Sequence, residues 1–299
     1  MIKHFIDLDS FTKKELRQIL SFAQTIKKNP LKYSSLLKSK SLGLLFEKQS
    51  TRTRLSFSIG MQKIGGHVIE LNKNDVGFES RETTKDLLKT MSQYFDLLMI
   101  RNDDHNKLLE LASLNILPII NGLSNHSHPC QILSDIFTIE ETLGKIENQT
   151  IAWVGDFNNV LISLLQAAEI FNFKLKIAVP ESILITNKKK IKKMNLRYSK
   201  FSTRISKVVK DANCVMTDVW VSMGEKNSKS KKMILRDFQV NEQVMKYAKK
   251  NAIFMHCLPA HRNEEVTDSV IDGKQSVVWQ QAQNRTYVQQ SILNFLLKS

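Results

Sequence analysis

The chain has 299 residues, of which 42% are hydrophobic and 24% charged, a balance typical of a globular protein with room for two ordinary domains. No apolar run approaches the length of a membrane span and the N-terminus lacks a secretory pattern, so neither a membrane protein nor secretion is expected. The three cysteines, Cys130, Cys214 and Cys257, are typical of free thiols in a reducing cytosol, which predicts a cytoplasmic protein.

The net charge is +15, from 44 Lys and Arg against 29 Asp and Glu. Much of the excess is lysine, concentrated in residues 187–200 and 225–232, where no zinc-finger or RNP-type pattern accompanies it. These stretches predict a solvated basic surface rather than a nucleic-acid site. A modest positive field also attracts a small anionic substrate.

The first half of the chain alternates strand-like apolar runs with helical patterns. Strands are predicted at 41–46, 67–71, 96–101 and 116–120, and helices at 52–64 and 81–95. This alternation is typical of a parallel sheet covered by helices.

The alternation restarts after residue 149, with strands predicted at 150–157, 174–180, 212–220 and 251–259 and a helix at 158–171. We therefore predict an α/β protein with two Rossmann-like domains, each a mostly parallel sheet flanked by helices. The predicted domains are 1–140 and 141–299, and a helix at 130–144 crosses the boundary. The final helix, about 285–299, is predicted to pack back on the first domain.

The stretch "STRTR", residues 50–54, lies where a strand is predicted to pass into a helix. Ser50 occupies the N-cap position, and the amides that follow it are the unpaired donors of a helix N-terminus. Those amides and the helix dipole favour an anion, and Arg52 adds a planar fork that matches phosphate geometry. A capped helix with solvent-facing arginines remains the alternative.

Three further polar clusters lie at predicted C-terminal strand ends, where open α/β sheets bind ligands. They are "NGLSNHSHPCQ" (121–131), "TDVWVSMG" (217–224) and "MHCLPAHR" (255–262). Their coincidence with the 50–54 stretch predicts one or more ligand sites. Residues 222–232, rich in Lys, Ser and Asn, are predicted to be a mobile loop.

Three of these motifs have alternative interpretations. His126 near His128 suggests a metal pair, but no further ligand set has usable spacing, so no metal is predicted. His256 and Cys257 are strand neighbours that point to opposite faces, which argues against a nucleophile and its base. The stretch "VGDFNN" lacks G-x-G-x-x-G, so no dinucleotide cofactor is predicted.

Together these motifs resemble the aspartate/ornithine carbamoyltransferase family, and within it the ornithine branch. The resemblance rests on "FEKQSTRTR", "NGLSNHSHPCQILSD", "VGDFNNVLISL", "TDVWVSMG", "HCLPAHR" and "QNR". It implies transfer of a carbamoyl group from carbamoyl phosphate to the side-chain amine of L-ornithine, giving L-citrulline and phosphate. It also implies a homotrimer that works in arginine metabolism without a cofactor.

The resemblance implies a role for each matching residue. Carbamoyl phosphate would contact Ser50, Thr51, Arg52, Thr53, Arg101, His128, Gln131, Cys257, Leu258 and Arg285. Among these, Arg52, Arg101, His128 and Cys257 would be catalytic. Ornithine would contact Asn159, Asp218, Ser222 and Met223, with Asn159 preferred to Asn158. Arg54 is expected to be structural and buried, and no residue of 74–86 is assigned a role.

The sequence is compatible with two other functions. A carbamoyltransferase for another amine, such as putrescine or a modified ornithine, would keep the phosphate-binding residues. A basic nucleic-acid-binding protein would account for the charge, but it would not account for four clusters at strand ends.

Overall fold

The computed structural model describes residues 2–48, 50–72, 76, 82–221 and 228–298. The chain divides into two compact units, Met1–Ser134 with Gln283–Ser299, and Asp135–Ala282. Each unit contains one parallel sheet flanked by helices, which confirms the predicted α/β class. Among the described residues, no helix is both long and apolar enough to cross a bilayer.

The first unit is built on a four-stranded sheet in the order β2-β1-β3-β4. Its strands are β1 (Ser41–Phe46), β2 (His67–Asn72), β3 (Leu97–Arg101) and β4 (Ile119–Leu123). Its helices are α1 (Lys13–Lys28), α2 (Thr51–Lys63), α3 (Thr84–Met91) and α4 (His105–Ser113). The chain order reverses between β1 and β3, so the loops after these two strands border a crevice at the carboxyl edge.

The second unit is built on a five-stranded sheet in the order β7-β6-β5-β8-β9. Its strands are β5 (Thr150–Val154), β6 (Lys174–Ala178), β7 (Ser199–Ser202), β8 (Cys214–Thr217) and β9 (Ile253–His256). Its helices are α6 (Asn159–Phe171), α7 (Glu181–Lys192), α8 (Ile205–Val209), α9 (Ser228–Leu235), α10 (Glu242–Met245) and α11 (Asp268–Ile271). Here the order reverses between β5 and β8.

Two helices run across the division between the units. They are α5 (Pro129–Leu143) and α12 (Val278–Lys298). The division within α5 falls after Ser134, whereas the sequence placed the boundary near residue 140. The last part of α12 belongs to the first unit, where Ser291 Oγ donates to the Ile19 carbonyl at 2.7 Å and Gln290 Nε2 donates to the Gly60 carbonyl at 2.9 Å.

The buried residues of the strands and helices lie at the positions that the apolar patterns predict. In β1, every residue after Ser41 is buried, as expected for a parallel strand covered on both faces. Helix α1 begins with a capping box between Thr12 and Glu15 and buries residues at helical spacing. Those residues are Leu16, Ile19, Leu20, Ala23 and Ile26. Burying each large side chain contributes about 1.5–3 kcal/mol.

The structure corrects some predicted elements. Strand β4 begins at Ile119 rather than at residue 116, because Pro118 has no N–H to donate to a ladder. Strand β7 was not predicted, since the mixed sequence "SKFS" forms a short edge strand. Residues 228–232 of the predicted mobile loop are helical in α9, and residues 222–227 lie outside the described residues.

The lysine-rich stretch at 187–200 lies partly in α7, which buries none of its residues. This helix therefore presents a solvated basic surface, as the composition predicts. Four of its lysines, Lys188, Lys189, Lys190 and Lys192, lie in its last two turns, where positive charge complements the helix dipole.

Candidate active site

The N-terminus of α2 is suited to binding an anion. Ser50 is its N-cap, and the Ser50 Oγ accepts a hydrogen bond from the Thr53 amide at 3.4 Å. Thr51 and Arg52 occupy the first turn, where Thr51 is exposed and Arg52 is half-buried. The remaining amides of this turn and the helix dipole favour a bound negative charge.

Two arginines from distant parts of the chain converge on Thr53. Arg285 of α12 donates from Nη2 to the Thr53 Oγ1 at 3.0 Å, and Arg101 at the end of β3 donates from Nη1 to the same oxygen at 3.4 Å. Arg285 and Thr53 are buried. Guanidinium groups bind phosphate and carboxylate oxygens in a planar fork, so this cluster can hold and polarise an oxyanion.

The loop from β4 into α5 brings His128 close to Arg101 and Arg285. Burial lowers the pKa of His128 well below its usual value, and the positive charges of Arg285 and Arg101 lower it further. The imidazole is therefore neutral and has one N–H to donate. Gln131 lies in the first turn of α5 and is fully buried. A neutral imidazole and an amide are both suitable donors to a developing oxyanion.

Cys130 and Cys214 are core residues, as the sequence predicts. Burial raises the pKa of the Cys130 thiol to about 12, and burial also raises the pKa of Cys214 well above its usual value. Both side chains are fully buried. They remain protonated thiols at neutral pH and take no part in nucleophilic chemistry.

In the second unit, Asp218 is held by two donors from different loops. Asn158 Nδ2 donates to the Asp218 Oδ2 at 2.7 Å, and Cys257 Sγ donates to the Asp218 Oδ1 at 2.9 Å. Asp218 and Asn158 are buried, whereas Cys257 is partly exposed. The loops after β5, β8 and β9 thus meet around one carboxylate, beside the point where the strand order reverses. A buried carboxylate in this position is suited to an ammonium group.

The structure gives the two asparagines of "DFNN" different positions. Asn158 is the N-cap of α6, and its Oδ1 accepts from the amides of Val160 and Leu161, both at 3.1 Å. Asn159, the predicted ornithine ligand, is the first residue of α6 and is partly exposed. The contact of Asn158 with Asp218 was missed, although an asparagine directly before an apolar helical run is itself an N-cap signal.

Cys257 and Leu258 follow β9 in a turn held by His256. The Leu258 amide donates to the His256 Nδ1 at 2.8 Å, so Nε2 carries the proton and donates to the Glu265 Oε1 at 3.1 Å. His256 and Glu265 are both buried. The imidazole therefore supports the turn, and it does not act as a base for Cys257 because both of its ring nitrogens are already engaged. The prediction that the two residues point to opposite faces of a strand is wrong, because β9 ends at His256 and a His256 ring nitrogen lies within 4.8 Å of the Cys257 Sγ. Sequence reasoning missed the role of Glu265.

Three other predictions concern single residues. Ser222 and Met223 lie outside the described residues. Arg54 forms an ion pair with Glu70, with Arg54 Nε and Glu70 Oε2 3.0 Å apart, and its guanidinium lies over the Phe46 ring. The prediction that Arg54 is buried is wrong, because its side chain is 40% exposed.

Within the described part of the chain, three groups of side chains place candidate metal-ligating atoms within 4.8 Å of one another. They are Asp7, His105 and His126; Asp218, His256 and Cys257; and His261, Glu264 and Glu265. In the second group, both ring nitrogens of His256 already take part in the turn described above. His126 and His128, the pair that the sequence suggested, do not form a group.

The predicted residues thus form one set in each unit. The first set is Ser50, Thr53, Arg101, His128 and Arg285. Thr51 and Arg52 lie beside it in the first turn of α2, and Gln131 lies in the first turn of α5. The second set is Asp218 and Cys257, with Asn159 and Leu258 on the adjoining loops. The first can stabilise an oxyanion and the second can hold an ammonium group.

Family models and known proteins match this chain over almost its whole length. Residues 3–141 match the carbamoyl-P binding domain of aspartate/ornithine carbamoyltransferase, and residues 147–296 match the Asp/Orn binding domain. An ornithine carbamoyltransferase from Rhodopseudomonas palustris (strain BisA53) is 45% identical, and the match covers 97% of this chain and 96% of the relative.

Solved structures of ornithine carbamoyltransferases are also similar to this chain over almost its whole length. An ornithine carbamoyltransferase from Pyrococcus furiosus is similar with a TM-score of 0.91 and 39% identity, covering 99% of this chain and 97% of that one. Another from Burkholderia thailandensis E264 has a TM-score of 0.89 and 37% identity, covering 99% of both chains. The oxyanion-binding set lies in the part that matches the carbamoyl-P binding domain, apart from Arg285 on the returning helix. The chain belongs to the aspartate/ornithine carbamoyltransferase family.

Proposed function

We propose that the protein transfers the carbamoyl group of carbamoyl phosphate to the side-chain amine of L-ornithine, giving L-citrulline and phosphate. The observation that carries the proposal is the convergence of Arg101 and Arg285 on Thr53, at 3.4 and 3.0 Å, beside the N-terminus of α2. This arrangement combines fixed positive charge with helix amides, which suits a phosphorylated substrate. The shared name of the relatives supports the choice of ornithine.

Most of the residues that bind carbamoyl phosphate belong to the first set. Ser50, Thr51, Arg52 and Thr53 take the phosphate, with Arg285 as a further donor. Arg101, His128 and Thr53 donate to the carbonyl oxygen and stabilise the negative charge that develops there. Gln131, Cys257 and the Leu258 backbone hold the carbamoyl amide.

Ornithine is bound by the residues of the second set. The Asp218 carboxylate takes the α-ammonium group, and Asn159, Ser222 and Met223 contact the rest of the amino acid. The Cys257 thiol, held by Asp218 at 2.9 Å, orients the lone pair of the side-chain amine. In this scheme the thiol never bonds to the carbonyl carbon.

The reaction is a direct displacement. The neutral amine nitrogen forms a bond to the carbonyl carbon, and the carbonyl electrons move to its oxygen. The oxyanion then collapses, the bond from carbon to the bridging phosphate oxygen breaks, and the amine nitrogen loses one proton, which the departing phosphate takes up. Arg52 stabilises the departing phosphate. The protein contributes alignment and charge stabilisation rather than a covalent intermediate.

Each predicted domain binds one of the two substrates. Residues 1–140, with the helix at about 285–299, bind carbamoyl phosphate, and residues 141–299 bind ornithine. By resemblance to the family we also infer a homotrimer that works in arginine metabolism. The three free cysteines are consistent with a cytoplasmic location.

A citrulline-formation assay with carbamoyl phosphate tests the proposal. Ornithine is compared with putrescine, N-acetylornithine and aspartate at equal concentrations, and we expect turnover with ornithine to exceed the others by at least about 100-fold. A preference for putrescine or N-acetylornithine would support carbamoyltransferase activity but would show that ornithine is not the preferred substrate. No product with any amine, together with salt-sensitive retention of DNA or RNA in a gel, would favour the nucleic-acid alternative.

A further inference from the structure

We propose that Asp7, His105 and His126 form a zinc site that is separate from the proposed catalytic residues. The three residues come from three segments of the first unit. Asp7 precedes the first 3-10 turn, Leu8–Ser10, His105 is the first residue of α4, and His126 lies in the loop between β4 and α5. Two imidazoles and a carboxylate are a frequent protein ligand set for zinc.

The three side chains are already close together. Asp7 Oδ2 lies 2.9 Å from the His105 Nε2, and the rings of His105 and His126 have centroids 4.7 Å apart at an angle of 43°. One ligand atom from each residue lies within 4.8 Å of the others. Zinc bonds of about 2.0–2.2 Å require tetrahedral ligand atoms roughly 3.4 Å apart, which demands only small movements here.

The second ring nitrogen of His105 is also placed as in a metal site. His105 Nδ1 lies 2.8 Å from the Ser124 Oγ. A metal-ligating histidine usually donates its other N–H to an oxygen, which fixes the tautomer and the ring orientation. With a cation bound, Nδ1 donates to Ser124 and Nε2 presents its lone pair to the cation, whereas without one Asp7 accepts a hydrogen bond from His105.

A buried polar network holds this arrangement without a metal. The Ser124 Oγ accepts from the Ser127 amide at 3.2 Å, and the Asn121 Nδ2 donates to the Ser127 Oγ at 3.0 Å and to the Ile6 carbonyl at 3.0 Å. The network joins the N-terminal segment to the loop after β4. Such a site costs little to organise when a cation arrives.

Zinc takes the place of the hydrogen bond between the His105 Nε2 and the Asp7 Oδ2. Asp7 and the two histidines supply three ligands, and water supplies the fourth. The cation would link the N-terminal segment, the start of α4 and the loop that carries His128. Its expected effect is to stabilise the first unit, because a ligand that binds only the folded state raises the melting temperature.

Cobalt binding to the full-length protein tests the site. The Cys257→Ser variant serves as background, because Cys257 belongs to another group of candidate ligands. We expect one equivalent of Co²⁺ with a tetrahedral visible spectrum that lacks a thiolate charge-transfer band, and displacement of that Co²⁺ by Zn²⁺. His126→Asn in this background should raise the dissociation constant by more than about 100-fold, and Ser124→Ala by about 10- to 100-fold.

His261→Asn is the matched control, since His261 belongs to the third group of candidate ligands. It should leave cobalt binding and the zinc-dependent rise in melting temperature unchanged. The proposal is overturned if the Cys257→Ser protein binds no Co²⁺, or if His261→Asn weakens binding as much as His126→Asn does. Circular dichroism of the His126→Asn protein separates loss of the site from loss of the fold.

Discussion

The Cys257 thiol donates a hydrogen bond to the Asp218 carboxylate, with Sγ and Oδ1 2.9 Å apart. This bond joins the loop after β9 to the loop after β8, and Asn158 completes the group from the loop after β5. The bond fixes the direction of the thiol, which an orienting role for Cys257 requires. A thiol beside a carboxylate is also the arrangement of a nucleophile and its base, so a search for a covalent adduct distinguishes the two roles.

We expect Cys257→Ser to raise the KM for ornithine and to lower kcat without abolishing it. Serine keeps a donor to Asp218 but has a shorter bond and a harder oxygen, so the amine is aligned less well. The KM for carbamoyl phosphate should change much less. Steady-state kinetics with each substrate varied separately measures this split, and a carbamoyl-thiol adduct seen by mass spectrometry in the wild type would contradict it.

Asp218→Asn should raise the KM for ornithine by roughly 10- to 100-fold, because a hydrogen bond to a charged group contributes about 1.5–3 kcal/mol. The substitution removes the charge that attracts the ammonium group. Because asparagine keeps only one acceptor oxygen, either Asn158 Nδ2 or Cys257 Sγ also loses its acceptor. Asp237→Asn, at an exposed carboxylate in the same unit, is the control. Equal KM values for both variants would mean that Asp218 does not bind ornithine.

Arg52→Ala should lower kcat by at least about 100-fold, because it removes a donor to the charge of the departing phosphate. Arg54→Ala is a closely matched control on the same helix. Arg54 pairs with Glu70 on a half-exposed surface, and such a pair contributes at most about 1 kcal/mol to stability. Citrulline formation measures both variants, and similar rates would mean that Arg52 does not act on the substrate.

The apparent affinity for ornithine should increase with pH. A side-chain amine of this kind has a pKa near 10.4, and only its neutral form can attack. Between pH 7 and 9 the neutral fraction rises about tenfold per pH unit, so the KM for ornithine should fall by a similar factor. The KM for carbamoyl phosphate, measured over the same range, provides the comparison. If the KM for ornithine did not change with pH, the protein would have to bind the protonated amine and remove its proton.

Glu15 gives a pH effect on stability that is independent of catalysis. Its hydrogen bond from Lys3, at 2.8 Å, and that from the Thr12 amide lower the pKa of Glu15 to about 2. The folded form thus binds its proton less readily than the unfolded chain, so this stabilisation is present above about pH 4.5 and is lost as the pH falls towards 2. Because solvent screens this partly exposed pair, we expect about 1 kcal/mol.

Unfolding in denaturant at pH 7 and pH 3 measures this contribution. Glu15→Gln should be less stable than the wild type at pH 7, and the difference should shrink at pH 3. Glu110→Gln is the control, because the Glu110 side chain is 57% exposed and pairs only loosely with Lys107 at 3.4 Å. A difference that stays constant between the two pH values would show that the carboxylate charge of Glu15 is not the cause.

Much of the candidate site could be predicted because its signals are local. Ser50 directly precedes a helical pattern, and an N-cap needs only its own side chain and the next few amides. The clusters around His128, Asp218 and Cys257 each follow an apolar strand, and parallel strands place their carboxyl ends at one edge. Strand β4 was placed too early because the apolar residues before Pro118 resemble the strand that follows it.

What the sequence determined by itself was the α/β class, the helix caps and the edge of each sheet where polar groups collect, since these depend on neighbours along the chain. Only the tertiary structure decided that Arg285 donates to Thr53 and that Asn158 donates to Asp218. It also brought Asp7 to His105, and Glu265 to His256. Such pairs join residues from separate elements, and their contacts depend on how whole helices and sheets pack, which no short stretch of sequence encodes.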